Sequence, residues 1–206
     1  MKLLWRALEW PVGLLFWAWS LCAMRTARLR VTGPFGEGPA IYVHWHQHLP
    51  LLMPLCGSLR RRGAGPCWIM MSAAPRMAPI ARWAKLVGLR IEHGATGENG
   101  RAALDRLADA IRRGESVELA VDGPAGPAFR VKPGCVDLAL ATGAPLVALA
   151  YFSSAAFRTP GRWDAQLMLP PFASVDVVAC TVPRHDADTR ETLLARVQET
   201  LEQLRP

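Results

Sequence analysis

Two short segments of the chain hold the side chains that could do chemistry near neutral pH. The first is Val43-His44-Trp45-His46-Gln47-His48. Three imidazoles at alternate positions would share one face of an extended chain, and imidazole gives and takes protons near neutrality. The second is VDGPAGPAFRVKPG, residues 121–134. Two Gly-Pro pairs, Gly123-Pro124 and Gly126-Pro127, stiffen this stretch, because Gly permits unusual backbone angles while Pro removes freedom. Such a loop aims backbone N–H groups and its neighbours. Asp122 opens it, and Arg130 and Lys132 lie two residues apart within it. A carboxylate and two cations around a rigid turn suit a polar, phosphate-bearing ligand. An ordinary surface loop is the plainer reading.

The His cluster allows more than one reading. His-x-His opens the ligand set of some metal-dependent hydrolases, but there Asp and His follow where this chain has His48 and Leu49. His93 and His185 have no partners at ligand-like spacing in the sequence, so no metal site is expected. His44 and His48 are read as packing or capping residues. His46 falls at a strand-to-helix junction, where a base is exposed at the edge of a sheet.

The elements that must position these groups follow from hydrophobic periodicity. Strands are expected at 27–32, 40–45, 66–71, 89–92, 115–121, 145–151, 166–169 and 175–181. Helices are expected at 49–62, 79–87, 99–113, 135–142 and 188–204, and 99–113 has apolar residues at three-four spacing. Helix and strand alternate, which points to an α/β fold: a single domain with a mostly parallel central sheet flanked by helices. Sites in such sheets form at the carboxyl ends of strands, where both informative segments fall.

Residues 3–24, LLWRALEWPVGLLFWAWSLCAM, stand apart. The uninterrupted apolar run from Val12 to Met24 is short for a span, which needs about 20 residues. Pro11 is expected to break or kink a helix here. Four Trp residues and the following Arg25, Arg28 and Arg30 suit a headgroup region over an anionic leaflet. No A-x-A-like cleavage site follows, which argues against a removable signal. Residues 1–26 are therefore expected to be an N-terminal membrane-anchoring helix and 27–206 an α/β domain. A buried core helix is the alternative. The five Cys are scattered with no C-x-x-C pair, so neither a disulfide framework nor a zinc site is expected. The formal net charge of +7 comes mostly from Arg, and it attracts anionic lipid, an acidic carrier or nucleic acid. The Arg residues are dispersed and no nucleic-acid-binding module is present, so nucleic acid is not an expected partner.

Trp45-His46 after an apolar strand, then DGPAGP followed by KPG, resembles the lysophospholipid acyltransferase superfamily over about 31–183. The likeness is greatest to a bacterial branch related to the lipid A late acyltransferases. The resemblance implies acyl transfer from an acyl thioester, acyl-CoA or acyl-carrier protein, to a lipid hydroxyl, with no further cofactor. It implies lipid substrates and a place at the cytoplasmic face of the inner membrane. His46 takes the family's general-base role, and Asp122, Gly123, Pro124, Gly126, Pro127 and Lys132 match its acceptor-holding block. Arg130 joins them as a substrate-binding candidate. The superfamily's usual motif is His, four residues, then Asp. Here the corresponding places hold Leu49, Leu51 and Met53. Asp122 is then the candidate to orient the His46 imidazole. Arg76 stands in a loop where relatives often carry an acid, either to bind a phosphate or as a surface charge. A catalytically inactive lipid-binding protein of the same fold is the main alternative.

Overall fold

The computed structural model describes residues 2–59, 65–95 and 99–205. Helix α1 (Lys2–Thr26) leads into strand β1 (Arg28–Thr32). Strand β2 (Ile41–His44) is buried on both faces and ends in a 3-10 turn, His46–His48, that runs into α2 (Leu49–Gly57). Then come β3 (Cys67–Met71), a 3-10 turn at Pro75–Met77, α3 (Ala78–Val87), β4 (Arg90–His93), α4 (Gly100–Arg112) and β5 (Ser116–Ala120). Helix α5 (Gly134–Thr142) and strand β6 (Leu146–Phe152) follow. A small hairpin, β7 (Phe157–Arg158) and β8 (Leu167–Met168), precedes β9 (Ser174–Thr181) and α6 (Arg190–Gln203).

The main sheet has the order β1-β9-β6-β2-β5-β3-β4. All pairs are parallel except β6 with β9. The α/β expectation therefore holds, with the antiparallel pair confined to one side. Helices α1, α2 and α3 cover one face around Leu52, Leu55, Trp83 and Leu149. Helices α4, α5 and α6 cover the other around Leu107, Val136, Leu138 and Val197. With helices on both faces the central strands lose their polar side, which is why β2 and β6 read as continuous apolar runs. The chain leaves β2 toward β3 on one side and returns through β5 to β6 on the other. The sheet therefore changes direction between β2 and β5, where a crevice opens at their carboxyl ends.

Two local expectations change. Helix α1 runs unbroken through Pro11, whose side lies on the exposed face of the helix. The opposite face packs on α3, and this packing offsets the hydrogen bond that Pro removes. The alternating His residues do not share a face, because β2 stops at His44 and the chain turns at His46. The Arg run expected to close α2, at 60–62, lies outside the described residues, as do residues 96–98.

Candidate active site

His46 is presented by the first residue of the turn that follows β2, beside the end of β5. Its backbone N–H donates to Asp122 Oδ1 at 2.7 Å, and the Phe129 N–H donates to Asp122 Oδ2 at 3.0 Å. Asp122 is buried and spends both oxygens on main chain, so it ties the His46 turn to the Gly/Pro loop. The imidazole itself is held elsewhere. His46 Nδ1 lies 2.7 Å from Asp164 Oδ2, and a carboxylate can only accept, so Nδ1 carries the hydrogen. This corrects the expectation that Asp122 orients the ring: Asp122 fixes the peptide, and Asp164 fixes the imidazole.

Asp164 is only 1% exposed, on the segment between β7 and β8. Arg162 grips it side-on, with Nε to Oδ1 and Nη2 to Oδ2 both at 2.9 Å. Burial by itself raises the carboxyl pKa, but the His46 N–H and the Arg162 guanidinium outweigh it and hold Asp164 well below the usual carboxylate range. The Trp163 ring lies 5.2 Å from the His46 ring at 50°. Arg162, Trp163 and Asp164 thus form one short strap around His46. Among the described residues nothing bonds His46 Nε2, which is the proton-accepting nitrogen of this tautomer.

The Gly/Pro loop fits this strap closely. A Cβ on Gly123 would fall 2.7 Å from His46 Cδ2, and one on Gly126 would fall 2.9 Å from the Trp163 ring. Gly126 also has φ +74, a conformation that side chains rarely adopt. Both X-Pro bonds, Gly123-Pro124 and Gly126-Pro127, are cis. Lys132 Nζ donates to the Gly123 carbonyl at 2.6 Å, so this cation closes its own loop. Gln198 of α6 clamps the far side, accepting from Val131 N–H at 2.8 Å and donating to the Phe129 carbonyl at 2.9 Å. Arg130 is exposed and Pro127 lies at the surface.

The other two imidazoles of the cluster are committed inside the fold. His44 Nδ1 donates to the Trp45 carbonyl at 2.9 Å, and its Nε2 faces Glu118 Oε1 at 2.9 Å, both side chains being fully buried. His48 Nε2 meets the Gln47 amide at 2.9 Å, and Gln47 Oε1 accepts from Arg158 at 3.1 Å. Burial, and then the nearby His44, push His48 down to about 3, so it stays neutral. Three rings aimed at three separate partners do not form a metal site.

His46 lines a cavity of about 460 Å³ that runs beneath α1. Gly123 and Pro124 line it as well, and Arg76 and Arg162 bring positive charge to it, with no carboxylate in its wall among the described residues. Apart from Ser72 and Gln166 the rest is apolar, including Trp5, Phe16 and Trp19 from α1, Ile80 and Trp83 from α3, and Met53, Met70, Met71, Met77 and Met168. Five of the chain's seven Met residues are therefore here. Met is flexible and polarizable, and adapts to apolar ligands of varied shape. Of the residues singled out in the sequence, His46, Gly123, Pro124 and Arg76 meet at the cavity and Asp122 lies directly behind it. Gly126, Pro127, Arg130 and Lys132 do not line it. Asp164 was missed. It is the only acidic residue between Tyr151 and Leu167, which was its one trace in the sequence.

Fold and site define a His–Asp centre at the head of an apolar cavity, on a mostly parallel α/β sheet. This architecture is similar to the crystal structure of the 1-acyl-sn-glycerophosphate (LPA) acyltransferase PlsC from Thermotoga maritima, with a TM-score of 0.54 over 97% of this chain and 77% of that one. The two sequences are 19% identical, so the likeness is one of fold, a mostly parallel sheet flanked by helices. No protein-family model matches the sequence. A Rickettsia prowazekii (strain Madrid E) protein described as uncharacterized is 25% identical over 91 residues, 44% of this chain. The match spans 41% of that relative's length.

Proposed function

We propose that this protein transfers an acyl chain from an acyl thioester, acyl-CoA or acyl-carrier protein, to a hydroxyl of a lysolipid or lipid A-like acceptor at a membrane. The observation that carries the reading is the His46–Asp164 pair, with His46 Nε2 bonded by none of the described residues, at the head of a largely apolar cavity. The PlsC fold supports it, since that enzyme is a 1-acyl-sn-glycerophosphate acyltransferase.

In this reading His46 Nε2 takes the proton of the acceptor hydroxyl as its oxygen attacks the thioester carbonyl. The tetrahedral intermediate then collapses, the C–S bond breaks, and the imidazolium returns the proton to the departing thiolate sulfur. Asp164 holds the tautomer and stabilises the imidazolium, the part a carboxylate plays behind a catalytic His. Arg162 keeps Asp164 ionised. Its remaining N–H groups and Arg76 favour an anionic part of either substrate at the polar end. The Met-lined portion holds an acyl chain away from water. Arg130 and Lys132 act through the loop, Lys132 by holding the Gly123 carbonyl. The protein works at the cytoplasmic face of the inner membrane.

The test is transfer of labelled acyl chains from acyl-CoA and from acyl-carrier protein to a panel of lysolipids and lipid A precursors, with wild type and His46→Ala side by side. Label entering a lipid with wild type alone is the expected result. A folded wild-type protein that transfers to no acceptor from either donor refutes the proposal and leaves a lipid-binding protein of the same fold.

A further inference from the structure

The turn that carries His46 continues as Gln47 and His48, and neither side chain lines the cavity. Both are buried all the same, Gln47 at 2% exposed and His48 at 0%. A buried amide or imidazole is costly unless it is bonded, so the partners of these two decide what they are for. Gln47 Oε1 accepts from Arg158 Nη1 at 3.1 Å, and Arg158 is the second residue of β7. With its oxygen taken in this way, the Gln47 amide turns its NH₂ to His48 Nε2, 2.9 Å away, which accepts. The His48 ring lies 5.0 Å from the Tyr151 ring at 47°. Tyr151, on β6, donates its hydroxyl to the Leu167 carbonyl at 2.6 Å, and Leu167 opens β8.

The two residues after His46 therefore reach both strands of the hairpin that carries Asp164. Gln47 holds β7 directly through Arg158, and His48 leans on the tyrosine that holds β8. His46 itself meets the segment between those strands, at Asp164 Oδ2. The hairpin needs such fastening. Its strands pair only Phe157 with Met168 and Arg158 with Leu167, extended by the Thr159 N–H to the Gln166 carbonyl at 2.9 Å. A two-stranded ribbon so short does not hold its own position. Arg158 is exposed, and Gln47 is its one bonded partner among the described residues. The Gln47 oxygen is shut away from water, so a lost bond there is not replaced at no cost.

We infer that Gln47 and Arg158 are positioning residues: their hydrogen bond seats the β7–β8 hairpin on the His46 turn and so sets Asp164 against the imidazole. One three-residue turn then presents the base and also fastens the element that orients it. The effect on rate rests on the acyl-transfer reading, whereas the seating of the hairpin does not.

Arg158 is the residue to change, because an exposed side chain can be removed with the core intact. Arg158→Ala is expected to lower kcat for thiol release by about ten- to 10²-fold, as a misplacement near 1 Å does. The KM for the acceptor stays within about three-fold. Arg158→Lys keeps a donor and restores most of the rate. In the Asp164→Asn background Arg158→Ala costs no more than about two-fold, since the carboxylate it places is already gone. Gln47→Leu repeats the loss; if it does not fold, the Arg158 variants carry the test. An unchanged kcat in Arg158→Ala overturns the inference. So does a loss confined to KM, or a full loss in the Asp164→Asn background, because Arg158 then acts on substrate and not through Asp164. Proton NMR separates the seating from the catalysis. The His46 Nδ1–H donated to a buried carboxylate gives a downfield resonance, identified by its absence in His46→Ala. In Arg158→Ala it is expected to broaden and exchange faster with water. If the protein transfers no acyl chain yet this resonance responds, the catalytic reading fails and the seating stands. An unchanged resonance overturns the seating.

Discussion

Replacing Asp164 by Asn changes few atoms and one electrostatic arrangement. Asp164 now accepts from three N–H groups: His46 Nδ1 at 2.7 Å and Arg162 Nε and Nη2 at 2.9 Å. Asn has one accepting oxygen and one NH₂ group. If its oxygen faces Arg162, its NH₂ faces His46 Nδ1, which must then accept. The ring hydrogen moves to Nε2, and the base is lost. If its oxygen faces His46, the NH₂ meets the guanidinium donor to donor, and the imidazolium formed in the reaction has no anion behind it. For a catalytic His backed by Asp, the same exchange costs about 10⁴ in kcat. At about 1.36 kcal/mol per ten-fold, that is roughly 5.4 kcal/mol of transition-state stabilisation.

Asp164→Asn is therefore expected to lower kcat for thiol release from the acyl thioester by roughly 10³- to 10⁴-fold. The KM for the acceptor stays within about three-fold, because Asp164 is not part of the cavity wall. Thermal unfolding adds a signed check. The folded-state pKa of Asp164 is depressed, so its contribution is complete above the unfolded carboxyl pKa of about 3.9 and is lost as pH falls through the lower, folded value. The stability gap between wild type and variant should then be flat from about pH 7 to pH 5 and close only below about pH 4. A folded Asp164→Asn enzyme whose kcat is within about ten-fold of wild type refutes the dyad.

Two further expectations rest on the same packing. Gly123→Ala puts a Cβ 2.7 Å from His46 Cδ2, against a ring that Asp164 and Trp163 prevent from yielding. It should cut kcat by about 10²-fold, as an approximately 1 Å misplacement does, while the melting temperature moves little; an unchanged kcat would mean that the ring is free to shift. His48 is neutral when buried, with a pKa of about 3 against about 6.5 unfolded, so the unfolded chain binds the extra proton and stability drops as pH is lowered from about 6.5 to about 3. The slope is at most about 1.4 kcal/mol per pH unit, and urea unfolding of His48→Phe should show a shallower dependence over that window; equal slopes would show that His48 does not titrate this way.

The sheet and its helices were legible because their signal is local. Parallel strands covered on both faces read as short apolar runs, and α4 reads as three-four spacing. The chemistry at the ends of β2 and β5 was legible too, since His46 and the DGPAGP loop are unusual residue types at strand ends. Two features were not. The imidazole alternation suggested an extended face, but the turn at His46–His48 is set by tertiary bonds, with Asp122 pulling on the His46 N–H and the Trp45 carbonyl accepting from both His44 and His48. Asp164 is 118 positions from His46, on a hairpin whose strands are two residues each. No periodicity marks such strands, and the Arg-Trp-Asp sequence reads as ordinary loop.

The missing carboxylate after His46 has a physical reason in the packing of α2. The place where an Asp would follow His46 is Leu51, which is 2% exposed, and every α2 residue from Pro50 to Gly57 is buried. A carboxylate there would be buried in the same core as Leu, Met and Trp side chains, where an unpaired charge is costly. Asp164 is equally buried, yet it arrives with Arg162, whose side chain is 46% exposed and can anchor the pair in water while its inner N–H groups bind the carboxylate. An apolar cavity beside an apolar α2 is thus compatible with an oriented His only if the orienting charge arrives with its own counter-ion. The hairpin after β6 supplies both, β6 being the neighbour of the strand that leads to His46, and Gly126 leaves the space that Trp163 needs to bring the strap against the ring.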